Sequence, residues 1–460
     1  MRLEQADWEH VVDRLGARIS DVALLAALGA GAGGPMPVSE IMARLDNGPS
    51  RQYVSRRLNA LGAIGVIDVV GRGPQTRYRL NESKVAAAYI AIDPLQRAPK
   101  SFDIGLIRKY EPNVSRILPA ETAAELRAVS DSVIRAGDTI NQIVFRRYLI
   151  DFSWASSRME GNTYSLLETR ALLEDGNPAP GKSLDEAQML RNHAAAIEYV
   201  LDNARDIRIA PAEIRGLHKL LSRGLLPNED DEGRVRQGIV EIGHSAYHPA
   251  SAPQLLEEGL SAIADKARSI TDPYEASAFL LAQISYLQPF TDVNKRTARV
   301  SCNIPLLKAG LCPLSFYGME DEAYVNALLV YYETHATAPL AAVYRNGYRA
   351  AAERYKTYGV RLSESLATHD GERRRQVDDL VRQFVRAVAQ GQAAPEEQSA
   401  FLREHANETD PIRRDTLIAA ASRRIAAISN HDAVGLAIPP GVFARYQEAK
   451  REAEKGHGPR

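Results

Sequence analysis

The chain has 460 residues, 45% hydrophobic and 25% charged, which excludes a disordered protein and a single small module and suits about two to four domains. Its 57 Lys and Arg against 58 Asp and Glu leave a net charge of -1, so any nucleic-acid site must be a local patch. The sequence shows no basic-then-apolar leader and no run of about 18 uncharged apolar residues, so a cytoplasmic location and no membrane partner are expected. Cys302 and Cys312 lack metal-ligand spacing and read as buried structural thiols.

Helical periodicity dominates and predicts a mostly α protein. The Gly29 to Pro35 stretch reads as a turn between two helices. A helix opens at Ser39, a turn runs through Asn47-Gly48-Pro49, and a second helix capped by Ser50 turns Val54, Leu58 and Leu61 inward. β-branched residues cluster at Ile64 to Val70 and Thr76 to Leu80, two strands around a Gly71-Arg72-Gly73-Pro74 turn, and again at Gln237 to Ile242. Ile92 to Pro99 reads as a linker with a boundary near residue 95. Leu280, Ile284 and Leu287 mark one helix, and Val300, Ile304 and Leu307 the next. His193 and His218 fall within helical patterns as packing residues. From about residue 365 the chain is rich in Arg, Glu, Ala and Gln, an appended helical region with a frayed end around Lys455 to Arg460. The expected divisions are 1–95, 96–360 and 361–460.

Between Pro35 and Leu80 seven arginines (Arg44, Arg51, Arg56, Arg57, Arg72, Arg77 and Arg79) face three acids, Glu40, Asp46 and Asp68. The order of helix, turn, helix and two strands resembles a winged helix-turn-helix over about residues 20–85. That resemblance implies that Arg51, Gln52, Ser55, Arg56 and Asn59 line the outward face of a recognition helix. Arg72 would reach a phosphate or the minor groove of duplex DNA. The same face also suits dimerisation or protein docking, so a homodimer stays open beside DNA.

Gln288-Pro289-Phe290-Thr291-Asp292-Val293-Asn294-Lys295-Arg296-Thr297-Ala298-Arg299 lies between two helices. A tight loop feeding a helix N-terminus aims backbone N–H groups at one point, and Arg296 and Arg299 add positive charge beside it. Asp292 at its mouth suits a magnesium ion shared with phosphate. By spacing alone, a helix cap with salt bridges fits equally well.

Here the chain resembles the Fic family, whose signature is His-x-Phe-x-Asp/Glu-x-Asn-Gly/Lys-Arg with a second Arg three residues on. The likeness extends to Tyr110-Glu111-Pro112-Asn113, the helix from Asp185 to Val200, Ile214 to His218 and Pro313 to Phe316, over roughly residues 100–360. It implies a helical domain with a short β-hairpin flap that binds ATP and Mg2+ and transfers AMP to a hydroxyl of a target protein. Asp292 would hold the magnesium, Asn294, Lys295 and the loop backbone would meet phosphate, Arg296 would contact the β- and γ-phosphates, and Phe290 would anchor the loop. Ser156 to Asn162 resembles the family's inhibitory motif around 151–161. In it Ser156, Glu160 and Gly161 close the site by pairing Glu160 with Arg299. Gly238 to Pro249 resembles the flap, with Ile239, Val240, Glu241 and Ile242 clamping a target strand.

Two positions depart from the signature. Gln288 replaces the His that takes the proton from the attacking hydroxyl, and an amide has no basic lone pair near neutral pH. Lys295 is shared with members that resemble the Doc branch, which implies phosphate rather than AMP transfer. Two function classes follow: an autoinhibited protein adenylyltransferase impaired by Gln288, or a nucleotide-binding sensor attached to a DNA-binding regulator. His244 and His248 on the flap are the alternative bases.

Overall fold

The computed structural model describes residues 1–460 except 31–33, 47, 132–137, 205, 366–369, 408–410, 430–432, 434–435, 437 and 457–460. The middle of the Gly29 to Pro35 turn, Asn47 and the end of the tail therefore lie outside the described residues.

The first unit comprises α1 (Gln5–Arg14), α2 (Val22–Gly29), β1 (Met36–Pro37), α3 (Val38–Met42), α4 (Arg51–Ala63), β2 (Ile67–Val70), β3 (Arg77–Leu80) and α5 (Glu82–Ile90). Ser50 caps α4 by accepting the Tyr53 N–H at 3.3 Å, and Val54, Leu58 and Leu61 are buried in a core with Trp8, Leu25 and Tyr78. The strands run in the order β1-β3-β2, antiparallel, with Tyr78 opposite both Met36 and Val69. Gly71 turns the hairpin at φ +83°, where a Cβ would lie 2.7 Å from the Gln75 carbonyl oxygen, so only glycine fits.

The central unit begins with β4 (Lys100–Ser101), α6 (Ile104–Arg108), α7 (Ala120–Asp131), α8 (Asp138–Arg158), α9 (Leu166–Asp175), α10 (Leu184–Asp202) and α11 (Pro211–Ser222). It continues through β5 (Tyr247–His248), α12 (Pro253–Ser269), α13 (Pro273–Leu287), α14 (Asn294–Ser301), α15 (Asn303–Lys308), α16 (Asp321–Thr334) and α17 (Ala338–Ser365). Every residue of α13 from Tyr274 to Leu287 is buried, which makes this helix the axis on which α7, α12, α14, α15 and α16 pack. The apolar helix expected through Leu307 is interrupted at Cys302, because Pro305 has no N–H to give the Ser301 carbonyl. Both cysteines are buried free thiols, and burial pushes Cys302 up to about 12.

Two other expectations change. The strand of the 237–249 stretch falls at β5, parallel to β4, and not at Gln237 to Ile242. Ile239 is 78% exposed there, and only Ile242 of those β-branched residues packs against the core, so the segment lacks the paired neighbours that make a strand. The 92–99 segment is also no free tether, since Arg97 within it is buried and ion-paired to Glu333. Beyond α17, α18 (Asp370–Ala389), α19 (Gln398–His405), α20 (Pro411–Ala426) and a last helix, Pro440–Gly456, enclose a separate core containing Val381, Phe384, Leu402, Ala421 and Phe443. Among the described residues no helix is long and apolar enough to cross a membrane.

Candidate functional site

The loop after α13 is shaped by side chains that turn back on its own backbone. Gln288 leaves the helix at φ +50°, and its Nε2 donates to the Ser285 carbonyl at 2.6 Å. Phe290 is fully buried and stacks on His218 of α11 with centroids 3.8 Å apart. The Gly233 N–H donates to His218 Nδ1 at 2.9 Å, which fixes the tautomer, so Nε2–H donates to the Asp292 carbonyl at 3.2 Å. Burial pushes His218 down to about 4, and the ring is neutral. Both ends of the Asn294 amide are occupied by Phe290, whose N–H donates to Oδ1 at 2.9 Å and whose carbonyl accepts from Nδ2 at 2.8 Å. Asn294 therefore braces the loop. Val293 sits at φ +64°, a conformation that costs a β-branched residue about 1–3 kcal/mol, and its side chain is buried.

Among the described residues no side chain caps the N-terminus of α14. Arg296 and Arg299 are both buried, yet among the described residues Nε and Nη1 of Arg296 and Nη1 of Arg299 have no acceptor. Burial lowers the Arg296 pKa, but from a starting value of 12.5 the guanidinium stays charged. Buried cationic donors left unspent at an uncapped helix start form an anion cradle. Asp292 stands at its mouth, with Oδ2 3.6 Å from Arg296 Nη2 and a side chain 69% exposed. A single exposed carboxylate beside unspent cationic donors has the chemistry of a magnesium ligand, since that ion prefers few protein ligands plus phosphate oxygens.

Glu160 closes the cradle from the other side. It lies in the turn after α8, where Gly161 adopts φ +86°. Oε1 accepts from Arg299 Nη2 at 2.7 Å, and Oε2 is 3.5 Å from Lys295 Nζ, so two cations hold it where the sequence pointed to one. Burial favours its neutral form, but Arg299, Lys295 and Arg296 outweigh that and hold its pKa below the ordinary glutamate range. Ser156 accepts from Arg299 twice, at Oγ (2.8 Å, from Nε) and at its carbonyl (3.1 Å, from Nη2). The Ser156 hydroxyl donates to His193 Nε2 at 2.8 Å, and His193 Nδ1 donates to the Met189 carbonyl at 3.0 Å. Burial pushes His193 down to about 3, so it serves as a neutral acceptor behind Arg299.

The flap segment is anchored by Arg236, which sequence reasoning passed over. This guanidinium is buried and gives Nε to the Gln288 carbonyl at 2.8 Å, Nη1 to the Gly238 carbonyl at 2.6 Å and Nη2 to the Ala250 carbonyl. One side chain thus ties both ends of the segment to the residue before the loop. Between them Ile239 and Glu241 are exposed and Val240 and Ile242 half-buried. His244 and His248 are exposed, and the structure gives neither side chain a contact with the loop among the described residues.

In the first unit, among the described residues, three of the seven arginines are committed to acids: Arg44 to Glu40, Arg57 to the buried Asp21 and Arg79 to Asp68. Arg51, Gln52 and Arg56 are exposed on α4 with Ser55 half-buried among them, and Arg72 and Arg77 are exposed on the hairpin. Arg56 lies over the Tyr53 ring at 5.9 Å.

The geometry defines a helical domain in which buried arginines gather at a helix start and a carboxylate pairs with one of them. The chain matches the Fic/DOC family over residues 208–306. It is similar to Protein adenylyltransferase fic-1 of Caenorhabditis elegans, 28% identical over 226 residues that cover 45% of this chain and 44% of that protein. It is also similar to Protein adenylyltransferase Fic of Nematostella vectensis, 33% identical over 181 residues that cover 38% of this chain and 41% of that protein. The chain thus spans less than half the length of the curated relatives it matches. A solved structure of Fic-1 from C. elegans superposes with a TM-score of 0.45 and 19% identity over 78% of this chain and all of that one. Glu160 lies outside the matched family segment.

Proposed function

We propose that the central unit is an autoinhibited protein adenylyltransferase of reduced activity. A target hydroxyl would attack the α-phosphorus of ATP, the bond to the β-phosphate oxygen would break, and pyrophosphate would leave. The observation that carries this is the set of unspent buried donors on Arg296 and Arg299 at the bare start of α14. Arg296 and the loop amides would hold the phosphates. A magnesium ion at Asp292 would neutralise part of their charge. Ile239 to Ile242 would take up a target segment beside the loop. Glu160 competes for Arg299, since a carboxylate on that guanidinium occupies a donor that a phosphate needs. Gln288 offers no base, so about 10²–10⁴-fold of rate is missing.

A second reading is favoured by Gln288 itself, whose amide nitrogen is spent on the Ser285 carbonyl. On this reading the domain senses nucleotide for a DNA-binding first unit, with Arg51, Gln52, Ser55, Arg56 and Arg72 on duplex DNA. The test incubates the wild type, Glu160→Gly, and Glu160→Gly with Gln288→His with α-labelled and γ-labelled ATP. Retention of the α label alone supports AMP transfer, and retention of the γ label alone supports Doc-like phosphate transfer. An imidazole at 288 can give Nδ1–H to the Ser285 carbonyl and keep Nε2 free, so labelling is expected to rise with His. No transfer in any form, with ATP still bound, leaves the sensor reading. Calorimetry should find Mg-ATP bound about ten- to a hundredfold more tightly by Glu160→Gly than by the wild type, the worth of one charge-assisted contact.

A further inference from the structure

Glu333, near the end of α16, is a buried carboxylate that follows an unbroken apolar and aromatic run from Ala327 to Tyr332. Five hydrogen bonds converge on it. Tyr89 of α5 donates at 2.7 Å, Arg97 Nη1 at 2.8 and 2.9 Å, the Ser245 hydroxyl at 2.7 Å and the Ala246 N–H at 3.2 Å. Arg97 also gives Nη2 to the His244 carbonyl at 3.3 Å and lies over the Tyr89 ring at 5.5 Å. One carboxylate therefore joins the first unit, the segment leaving it and the return limb of the flap. A second route runs alongside. Asp7 of α1, fully buried, accepts from the Ala98 N–H and from Lys100 Nζ, each at 2.9 Å. Lys100 in turn gives its N–H to the Ala246 carbonyl at 2.8 Å, and β4 pairs with β5.

We propose that Glu333 is a positioning residue through which the first unit sets the conformation of the target-clamping segment. The proposal rests on the reading of residues 238–249 as that segment. Its physical basis is that a buried carboxylate cannot lose one donor cheaply, because the remaining charge has no water to turn to and its other partners must shift. Arg236 holds the segment to the catalytic loop, and Glu333 holds it to the first unit. The segment is thereby fixed from two sides by groups that share no side chain.

Amide hydrogen exchange on the full chain tests this, using Tyr89→Phe, Ser245→Ala, the double variant and Glu333→Gln. Tyr89→Phe removes one hydroxyl from a different unit, about 150 residues away in sequence. It should speed exchange at Ser245 to Tyr247 about fivefold or more, the worth of one net hydrogen bond, while the amides of α14 stay unchanged. The double variant should depart from the sum of the single ones, since both groups act on one carboxylate. Glu333→Gln should free the same amides and leave Mg-ATP affinity in the Glu160→Gly background unaltered. Flap amides indifferent to Tyr89→Phe, or strictly additive effects, would overturn the proposal and leave Glu333 as glue between units. The exchange needs no nucleotide, so a chain that bound no ATP would sink the transferase reading without touching this result.

Discussion

A carboxylate that reaches two cations from a turn can swing away without unwinding a helix, which suits Glu160 to a reversible block. Its titration gives a sharp expectation. The folded pKa lies below the ordinary value of about 4.3, so the stabilisation it lends is present above that value and is lost only as pH falls through the lowered one. The gap in melting temperature between the wild type and Glu160→Gln should stay constant from pH 8 to about pH 5 and close only below about pH 4. Thermal scans across that range check it, and a gap already closing near pH 6 would show that the Lys295 and Arg299 contacts do not hold in solution. The motif made Glu160, Ser156 and Arg299 legible in the sequence. It did not reveal Lys295 as a second partner, because that contact joins residues 135 positions apart through folded geometry. Arg236 left no sequence signal at all, since nothing in Arg234-Val235-Arg236 says which arginine is buried. Glu333 left one that went unused: an acid inside Val330-Tyr331-Tyr332-Glu333-Thr334 must find partners.

Among elements, α4 carries arginines of two kinds that composition cannot separate. Arg57 donates through Nε and Nη2 to Asp21 at 2.8 and 2.5 Å, and the Asp21 side chain is fully buried, so the pair belongs to the fold. Arg57→Ala should cost about 3–5 kcal/mol of stability by stranding that carboxylate. Arg72→Ala should leave stability within about 0.5 kcal/mol but flatten the slope of log K against log salt for duplex DNA by about 0.9. Chemical denaturation and mobility shifts across a salt series measure the two effects, and binding absent at about 50 mM salt would assign the Arg-rich face to protein contact. The helical stripe of Val54, Leu58 and Leu61 and the strands around Gly71 were legible because period and turn chemistry are local. The strand at Tyr247-His248 was not, because it exists only where Lys100 and Ser101 come alongside.

At the scale of the whole molecule, the first two units share an interface while the C-terminal helices keep a core to themselves. Ala86 of α5 packs with Val330 and Ala336, and the buried Tyr89 and Arg97 meet Glu333. Among the described residues, the Val381 and Phe384 cluster gathers residues of the C-terminal helices and their connections alone. Calorimetry of the intact chain should therefore resolve two transitions and not three, with residues 1–360 melting together. A separate early transition for residues 1–95 would show that the buried ion pair does not couple them. The sequence placed a boundary near residue 95, where chain composition does change, but a buried arginine across that boundary is invisible to composition.

Val293 carries a consequence for kinetics. Its backbone strain is offset by a buried side chain and by Asn294 bracing Phe290, so the loop's own side chains set the contour of the cradle. It is a casting and not a noose. On the proposed reading an arriving nucleotide would meet a finished mould, and its entry would wait on the departure of one glutamate and not on a loop's rearrangement.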